Sequence, residues 1–297
     1  MYELNIINGN TYYIECPAKI GVYKISENEI VLIDAGNDKE VAKKILKILE
    51  AREWKLKAIF ITHSNADHIG GCEWLQKKTG CRIYAPDIEM IFSNYPILES
   101  SFLYGGYPMK GLRNKFLMAK PSNVEELIAD VLPDGLEMVS LPGHFFQMVG
   151  FKTDDGVCFL ADSLFGANIL EKYHLTFVYD VAAYLNTLER VRQLDEKVYV
   201  PAHASVTGDI VDLVDANIKK VHEIIMLICH TIKEGKTFEK LLKAIFEHYS
   251  LVLDMNQYVL IGSTIKSYLS YLVDKGEVEI EIIDNEVIWR TVEVPSE

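Results

Sequence analysis

A dense run of potential metal ligands occurs at residues 62–68, which read Thr-His-Ser-Asn-Ala-Asp-His. His63, Asn65, Asp67 and His68 can each donate a lone pair to a cation. An apolar, β-prone stretch at residues 58–61 precedes the run, and two glycines follow it. Uncompensated polar groups at the end of a buried strand cost on the order of several kcal/mol, and a metal ion is the usual compensation. The run therefore predicts a metal site at a sheet edge.

Three further potential ligands occur directly after apolar, β-prone segments. His144 follows residues 138–141, Asp162 follows residues 157–161, and His203 follows residues 198–202. Each segment has the length and β-branched composition of a short strand. We expect these strand ends to deliver their side chains to one edge, together with His63 and His68. Convergence of all of them by chance is far less probable than a structural role for any single histidine.

The elements that must position these residues alternate between strands and helices. Residues 2–33 predict a meander of four short strands, and residues 38–52 place apolar side chains on one helical face. A strand at 58–61, a helix at 73–78 and a strand at 82–85 complete a βαβ pattern. A hairpin over residues 148–161 and a helix over 181–194 then lead to the strand before His203. The fold class is therefore α/β.

In order, spacing and strand-end context, these motifs resemble those of the metallo-β-lactamase superfamily, over about residues 10–210. The resemblance implies a four-layer αβ/βα sandwich with a metal centre at one sheet edge. It assigns His63 and His144 to a first metal group, Asp67, His68 and His203 to a second, and Asp162 as the bridging carboxylate. Asp34, after the strand at 30–33, would brace the ligand loop from behind. The centre would hold one or two divalent ions, with zinc the leading candidate and iron or manganese as alternatives.

One residue departs from the family's run His-x-His-x-Asp-His. Asn65 stands at the second histidine, and an amide oxygen is a poorer zinc ligand than an imidazole. Asn65 is thus a weak ligand at best. The first group could be weak, empty or adapted to a harder ion, and a single ion in the second group stays open.

Residues near the presumed centre suggest further roles. Phe145 and Phe146 follow His144 and either line an apolar substrate pocket or pack in the core. His174 follows Asp162 in a loop that could reach behind the ligands. Asp67 is the expected catalytic carboxylate, since it would help to hold a metal-bound hydroxide.

Two regions lie outside the ligand pattern. Within a metallo-β-lactamase-like domain at 1–215, residues 86–130 have little periodicity and form an insertion, either a lid or a surface-packing segment.

The second region is a C-terminal domain expected at 216–297. The sequence predicts a helical stretch at 210–232 that is divided near 215–216, further helices at 238–248 and 258–273, and then a hairpin at 277–294. This order resembles a winged-helix domain. It carries nine Lys and Arg against 13 Asp and Glu, so dimerisation or a lid role is favoured over nucleic-acid binding.

Composition limits the partners. Thirty basic and 43 acidic residues give a net charge of −13, which disfavours nucleic acids and anionic membranes. The five cysteines are scattered, and the sequence has neither a signal peptide pattern nor a membrane-spanning stretch. We therefore expect a cytoplasmic protein that acts on a small molecule, with a homodimer left open.

The leading hypothesis is a metal-dependent hydrolase in which a metal-bound hydroxide attacks an ester, thioester or amide carbonyl. A second hypothesis follows from Asn65: a mononuclear iron oxidoreductase acting on sulfur or oxygen, like the persulfide dioxygenases of the superfamily. A third is a degenerate site that binds a metal or ligand without catalysis.

Overall fold

A computed structural model describes residues 2–292, which form two β-sheets packed face to face with helices on both outer sides. The first sheet has seven strands in chain order. Its first four strands pair antiparallel and the remaining pairs are parallel, as the predicted meander and βαβ pattern require. The strands are β1 (Leu4–Asn8), β2 (Thr11–Ile14), β3 (Ile20–Lys24), β4 (Glu29–Ile33), β5 (Lys55–Phe60), β6 (Arg82–Ala85) and β7 (Glu125–Glu126).

The second sheet has four strands, in the order β11-β10-β9-β8. They are β8 (Leu136–Ser140), β9 (Val149–Thr153), β10 (Val157–Phe165) and β11 (Val198–His203). β8, β9 and β10 pair antiparallel, whereas β10 and β11 are parallel because a helical crossover joins them. Aromatic side chains such as Phe60, Phe151 and Phe159 fill the space between the two sheets.

Helices cover both sheets and complete the four-layer αβ/βα sandwich predicted from the sequence. α1 (Lys39–Glu50) and α3 (Cys72–Thr79) pack on the first sheet, and α7 (Val181–Arg192) packs on the second. The other helices of this region are short: α2 (Ala66–Ile69), α4 (Asp87–Asn94), α5 (Ile97–Tyr104) and α6 (Ala167–Tyr173). The architecture thus places the ends of β4, β5, β8, β10 and β11 at one edge.

β10 differs from the sequence expectation. Asp162 was expected after a strand ending at residue 161, but β10 continues to Phe165. Its pairing with β11 becomes irregular on both sides of Ala161, which has a left-handed backbone at φ 48°. Such a bulge re-aims the side chains that follow it. Asp162 therefore lies within the strand, and the irregularity sets its direction.

The insertion at residues 86–130 contains more helix than the sequence indicated. Both α4 and α5 lie within it, whereas residues 113–118 are not α-helical. Leu103, Leu112 and Leu117 of the insertion pack against Val259 in a separate small core. The insertion is thus fixed against the C-terminal helices.

Three helices and a hairpin follow the second sheet. They are α8 (Val211–Thr231), α9 (Phe238–His248), α10 (Met255–Asp274), β12 (Val278–Ile283) and β13 (Glu286–Thr291). The expected division of the first helix near residues 215–216 is wrong, because α8 is continuous there. The predicted boundary between 1–215 and 216–297 therefore falls inside a helix, and residues 293–297 lie outside the described range. Among residues 2–292, no helix is long and apolar enough to span a bilayer.

The C-terminal helices share one core with the second sheet, which joins Leu160 to Ile265 and Leu269. We expect Ile265→Ala to destabilise the whole chain by about 2–5 kcal/mol, since Ile265 is fully buried. Urea unfolding followed by fluorescence and circular dichroism would measure this. Ile282→Ala, at a side chain 77% exposed, should change stability by less than about 0.5 kcal/mol. Two separate transitions would show that the C-terminal region folds on its own.

Candidate metal centre

The ligand loop is held from behind by Asp34. Its Oδ1 accepts a hydrogen bond from the Thr62 backbone N at 2.8 Å, and its Oδ2 accepts one from Thr62 Oγ1 at 2.8 Å. The same Oδ2 lies 2.7 Å from His68 Nδ1. Asp34 is buried and has a left-handed backbone at φ 66° directly after β4. One carboxylate therefore orients the start of the loop and the imidazole at its end, which is the bracing role expected from the sequence.

The paired glycines let the loop lie directly on the turn that follows β4. A Cβ on Gly70 would lie 2.2 Å from the carbonyl oxygen of Asn37, and a Cβ on Gly71 would lie 2.3 Å from that of Ala35. Both distances are shorter than any real Cβ contact, so only glycine fits. This close approach explains the two glycines after the ligand run.

The structure brings all six predicted ligands together in two groups. In each group the potential ligand atoms lie within 4.8 Å of one another, and the groups are His63, His144 and Asp162, and Asp67, His68 and His203. Asp162 also reaches the second group, with Oδ1 3.1 Å from His68 Nε2 and Oδ2 3.3 Å from His203 Nε2. Its Oδ2 is 3.6 Å from His144 Nε2. Asp162 thus lies between the groups, where a bridging carboxylate must lie.

The four imidazoles all present the same nitrogen to the centre. Each Nδ1 faces an oxygen behind it, which places hydrogen on Nδ1 and leaves Nε2 as the nitrogen that faces inward. The partners are Thr62 Oγ1 for His63 (3.0 Å), Asp34 Oδ2 for His68 (2.7 Å), Phe177 O for His144 (2.8 Å) and Pro17 O for His203 (2.9 Å). Four Nε2 atoms therefore face the region around the Asp162 carboxylate.

Several of these inward-facing atoms have no hydrogen-bond partner. Within the described residues, His63 Nε2, His68 Nε2 and Asp162 Oδ1 are buried and make no well-aligned hydrogen bond, although the last two lie 3.1 Å apart. Leaving such an atom unpaired costs about 1–3 kcal/mol, more for a charged group. A cation among them would satisfy all three, and imidazole with carboxylate suits zinc, iron and manganese. The donor set therefore fits a divalent metal.

The protonation states differ between the two groups of imidazoles. Burial and the neighbouring His68 hold the pKa of His63 well below its ordinary value, and burial also lowers the pKa of His144. Both are therefore neutral near pH 7, which is the state that binds metal.

In the second group, the imidazoles of His68 and His203 are protonated instead. Burial lowers the pKa of His68, but Asp162, Asp34 and Asp67 outweigh it and raise that pKa well above the usual value. At His203, burial also lowers the pKa, but Asp162 and Asp67 outweigh it and raise the pKa to about 10. Without a metal, protons on these two imidazoles balance the carboxylates. A bound cation takes over that balance.

Asn65 lies beside the first group and is held by a residue that the sequence did not indicate. Its Nδ2 donates to Oε1 of Glu99 at 2.8 Å, and its Oδ1 is 3.0 Å from His144 Nε2. Glu99 comes from α5 of the insertion and is only 4% exposed.

A second buried acid, Glu89 of α4, holds the neighbouring residue of the loop. It accepts from the backbone N of Ser64 at 2.9 Å, from Ser64 Oγ at 2.7 Å and from the backbone N of Gln147 at 2.8 Å. The insertion therefore braces both the ligand loop and the loop after His144. The sequence gives one indication that Glu89 is buried: it lies between two large apolar residues, Ile88 and Met90.

The substrate-pocket prediction for Phe145 and Phe146 needs correction. Phe145 is fully buried and packs edge-on to Phe92 and against His63. Phe146 stacks on Tyr179 with ring centroids 4.0 Å apart. Neither lines the cleft beside the ligands. Their aromatic surface is used in packing the insertion onto the His144 loop.

His174 is also not where the sequence suggested. It follows α6 with a left-handed backbone at φ 57°, and its ring stacks on Tyr249 at 4.4 Å between centroids. Burial and the nearby Lys220 lower the pKa of this imidazole. The turn directs His174 to the C-terminal helices, so the expected place behind the ligands is wrong.

One cleft of about 1090 Å³ opens onto both groups, with Asn65, Asp67, His144, Asp162 and His203 in its wall. The rest of the wall comes from the N-terminal strands, the turn after β4, the insertion, the segment after β10, the loop after β11 and helix α10. Leu103, Phe177, Leu260 and Ile261 supply apolar surface, and Lys19 and Lys115 supply cations. The cleft thus has the size and mixed lining of a small-molecule site.

Known proteins show similarity to most of the chain. A family model described as the metallo-beta-lactamase superfamily matches residues 8–203. A hydroxyacylglutathione hydrolase of Methylobacillus flagellatus is 28% identical over 138 residues, which cover 46% of this chain and 44% of that protein. One from Haemophilus ducreyi is 28% identical over 176 residues, covering 59% and 61%. The chain spans about half the length of these curated relatives.

Solved structures share the fold over nearly the whole chain. A beta-lactamase domain protein from Burkholderia ambifaria has a TM-score of 0.76 at 15% identity, covering 98% of this chain and 94% of that one. A metallo-beta-lactamase family protein from Thermus thermophilus has a TM-score of 0.68 at 18% identity, covering 97% and 98%. The shared fold therefore includes the helices after β11.

The contacts of Asp34 predict that Asp34→Asn weakens metal binding about ten- to hundred-fold. An amide keeps the shape but has one acceptor oxygen for three donors, so the loop and His68 lose their fixed orientation. Chelator competition with zinc would measure the affinity. Asp155→Asn, at an acid that binds Thr11 and Asn10 instead, should leave it unchanged. Equal affinities in Asp34→Asn and the unchanged protein would contradict the bracing role.

The raised pKa of His203, about 10, predicts that metal binding releases protons near pH 7. A protonated imidazole has no lone pair on Nε2, so the ion must displace that proton, and the proton on His68 as well. Apparent affinity should fall about tenfold per pH unit for each proton released as the pH decreases. Calorimetric titration in buffers of different ionisation enthalpy would count the protons. Binding without proton release would contradict this charge assignment.

Proposed function

The chain belongs to the metallo-β-lactamase superfamily, and we propose that it is a metal-dependent hydrolase of an ester, thioester or amide. The observation that carries this proposal is the position of Asp162 between two ligand groups that open onto one cleft. When bound there, divalent cations would lower the pKa of a water molecule and polarise a carbonyl group.

The chain's own residues provide the remaining functions. The four imidazoles and Asp162 would hold the cations, and the oxygen that faces each Nδ1 would keep its ring in place. The Asp67 side chain is 45% exposed toward the cleft, and its Oδ2 lies 3.4 Å from His203 Nε2. It is therefore placed both to bind a cation and to accept a proton from water. This supports Asp67 as the catalytic carboxylate.

A thioester is the favoured substrate class among the three. The curated relatives are named hydroxyacylglutathione hydrolases, and an acyl-glutathione is a thioester. The apolar side chains of Phe177, Leu260 and Ile261 would contact the acyl group, and the cations of Lys19 and Lys115 would attract an acidic thiol carrier. A cleft of this size supports a small-molecule substrate.

The geometry favours the hydrolase over the alternatives considered from the sequence. A mononuclear iron oxidoreductase needs only one ligand group, whereas both groups here keep three ligand-type residues. A degenerate site would be expected to have lost ligands or their supporting hydrogen bonds. All six ligands converge, and every imidazole keeps its Nδ1 partner.

Several finer assignments form part of the same proposal. We infer zinc in the second group, because two imidazoles and two carboxylates suit it. Scattered, unpaired cysteines support a reducing, cytoplasmic location. The order of three helices and a hairpin after β11 supports a winged-helix-like unit, for which dimerisation remains a candidate role.

Asp162→Asn should abolish thioester hydrolysis, with kcat/KM at least about a hundredfold lower, because both groups lose their shared anion. Assays on a series of acyl-glutathione and acyl-coenzyme A thioesters, with metal content measured in parallel, would test this. His174→Ala is the control and should leave hydrolysis unchanged, since its ring stacks on Tyr249. Unchanged metal content and activity after replacing both Asp162 and His203 would contradict the proposal.

A further inference from the structure

The cleft beside the ligand groups has two chemically different arms. One arm, the apolar arm, is lined by hydrocarbon side chains from the insertion, the segment after β10 and helix α10: Leu103, Ile169, Phe177, Leu260 and Ile261. The other, the polar arm, is lined by side chains that form hydrogen bonds or carry charge: Tyr13, Glu15, Lys19, Asn37 and Ser205. A ligand that fills both arms therefore has one apolar part and one polar part.

The apolar arm begins at the first ligand group. Phe177 lies edge-on to His144 with ring centroids 5.6 Å apart, and its carbonyl oxygen faces His144 Nδ1 at 2.8 Å. The next residue, Val178, donates its backbone N–H to Thr264 Oγ1 of α10 at 3.4 Å. Contacts through one short segment thus place this part of α10 beside the ligands.

One face of α10 forms the long wall of the apolar arm. Four of its residues, the α10 face, line the cleft at the spacing of a single helical face: Gln257, Leu260, Ile261 and Thr264. Gln257 and Leu260 are half-buried, whereas Thr264 is only 1% exposed. At about 1.5 Å per residue, the face is about 10 Å long. It therefore runs from the open cleft at Gln257 to the buried ligands.

The polar arm begins at the second ligand group. The carbonyl oxygen of Pro17 faces His203 Nδ1 at 2.9 Å, and Lys19 Nζ donates to the carbonyl oxygen of Ala204 at 2.7 Å. The two arms thus leave the centre at different ligand groups. A thioester carbonyl held between the groups has one of its two substituents in each arm.

We propose that the apolar arm is an acyl-chain site, and that the α10 face makes the enzyme selective for acyl chains of medium length. The inference rests on the proposed thioester hydrolysis. A fully extended chain advances about 1.2 Å per bond, so a face of about 10 Å accommodates about eight carbons. Each methylene group that moves from water onto this face raises affinity about fourfold. The thiol carrier extends into the polar arm.

The test uses N-acetylcysteamine thioesters with acyl groups from acetyl to dodecanoyl, because this small carrier is the same in every substrate. In the metal-loaded protein, kcat/KM should rise about fourfold per methylene up to about octanoyl and then level off. Leu260→Gln places an amide in the arm and should reduce the gain to less than about twofold per methylene. Gln257→Leu extends the apolar surface toward the opening, so the rise should continue to decanoyl or dodecanoyl.

Val273→Gln is the matched control for Leu260→Gln. Val273 is also a half-buried apolar residue of α10 that packs on the shared core, but it lies outside the cleft wall. The same chemical change there should leave the dependence on chain length as it is in the unchanged protein. Thermal unfolding of both variants would show that each is folded under the assay conditions.

A binding measurement separates this inference from the proposed hydrolysis. The matching S-alkyl thioethers of N-acetylcysteamine have no carbonyl group to attack, and calorimetry would measure their affinity. Affinity should rise with chain length in the unchanged protein and in Val273→Gln, and this rise should be lost in Leu260→Gln. The same pattern in a protein that hydrolyses no thioester would refute the hydrolase proposal and support the acyl-chain site.

Three results would overturn the acyl-chain site while leaving the hydrolase proposal intact. The first is thioester hydrolysis that does not depend on chain length. The second is an equal loss of that dependence in Leu260→Gln and Val273→Gln. The third is a plateau that stays at the same chain length in Gln257→Leu.

Discussion

A buried carboxylate surrounded by imidazoles is the constraint on which the rest of the structure depends. Asp162 has only 4% of its surface exposed and lies within 3.6 Å of the Nε2 atoms of His68, His144 and His203. Such a group is costly to bury unless cations compensate it. The bulge at Ala161, the bracing by Asp34 and the backbone acceptors behind the imidazoles all keep this arrangement in place.

Much of this centre could be predicted because a strand end gives a reliable signal. Apolar β-prone segments followed by His63, His144 and His203 placed these side chains at one edge, and the family resemblance implied the four-layer sandwich. Asp162 was found by the same signal although β10 continues past it. Asp34 was identified through the family resemblance, which gives the acid at that strand end a bracing role.

Other features depend on tertiary contacts that no local pattern indicates. Glu89 and Glu99 lie on short helices without clear periodicity, where an acid usually faces solvent, and only the fold shows them buried against the ligand loop. Two phenylalanines beside a ligand suit a pocket or a core equally well, and packing of the insertion selected the core. The direction of His174 depended on a left-handed backbone at a position that no sequence signal marks.

The central claim is that the two ligand groups around Asp162 would hold divalent cations. Anomalous diffraction from crystals of the protein with manganese and with zinc would test it most directly. The account predicts at least one metal peak within ligand distance, about 2.0–2.4 Å, of the Asp162 carboxylate. Crystals grown with either metal that show no peak within ligand distance of Asp162 would contradict it.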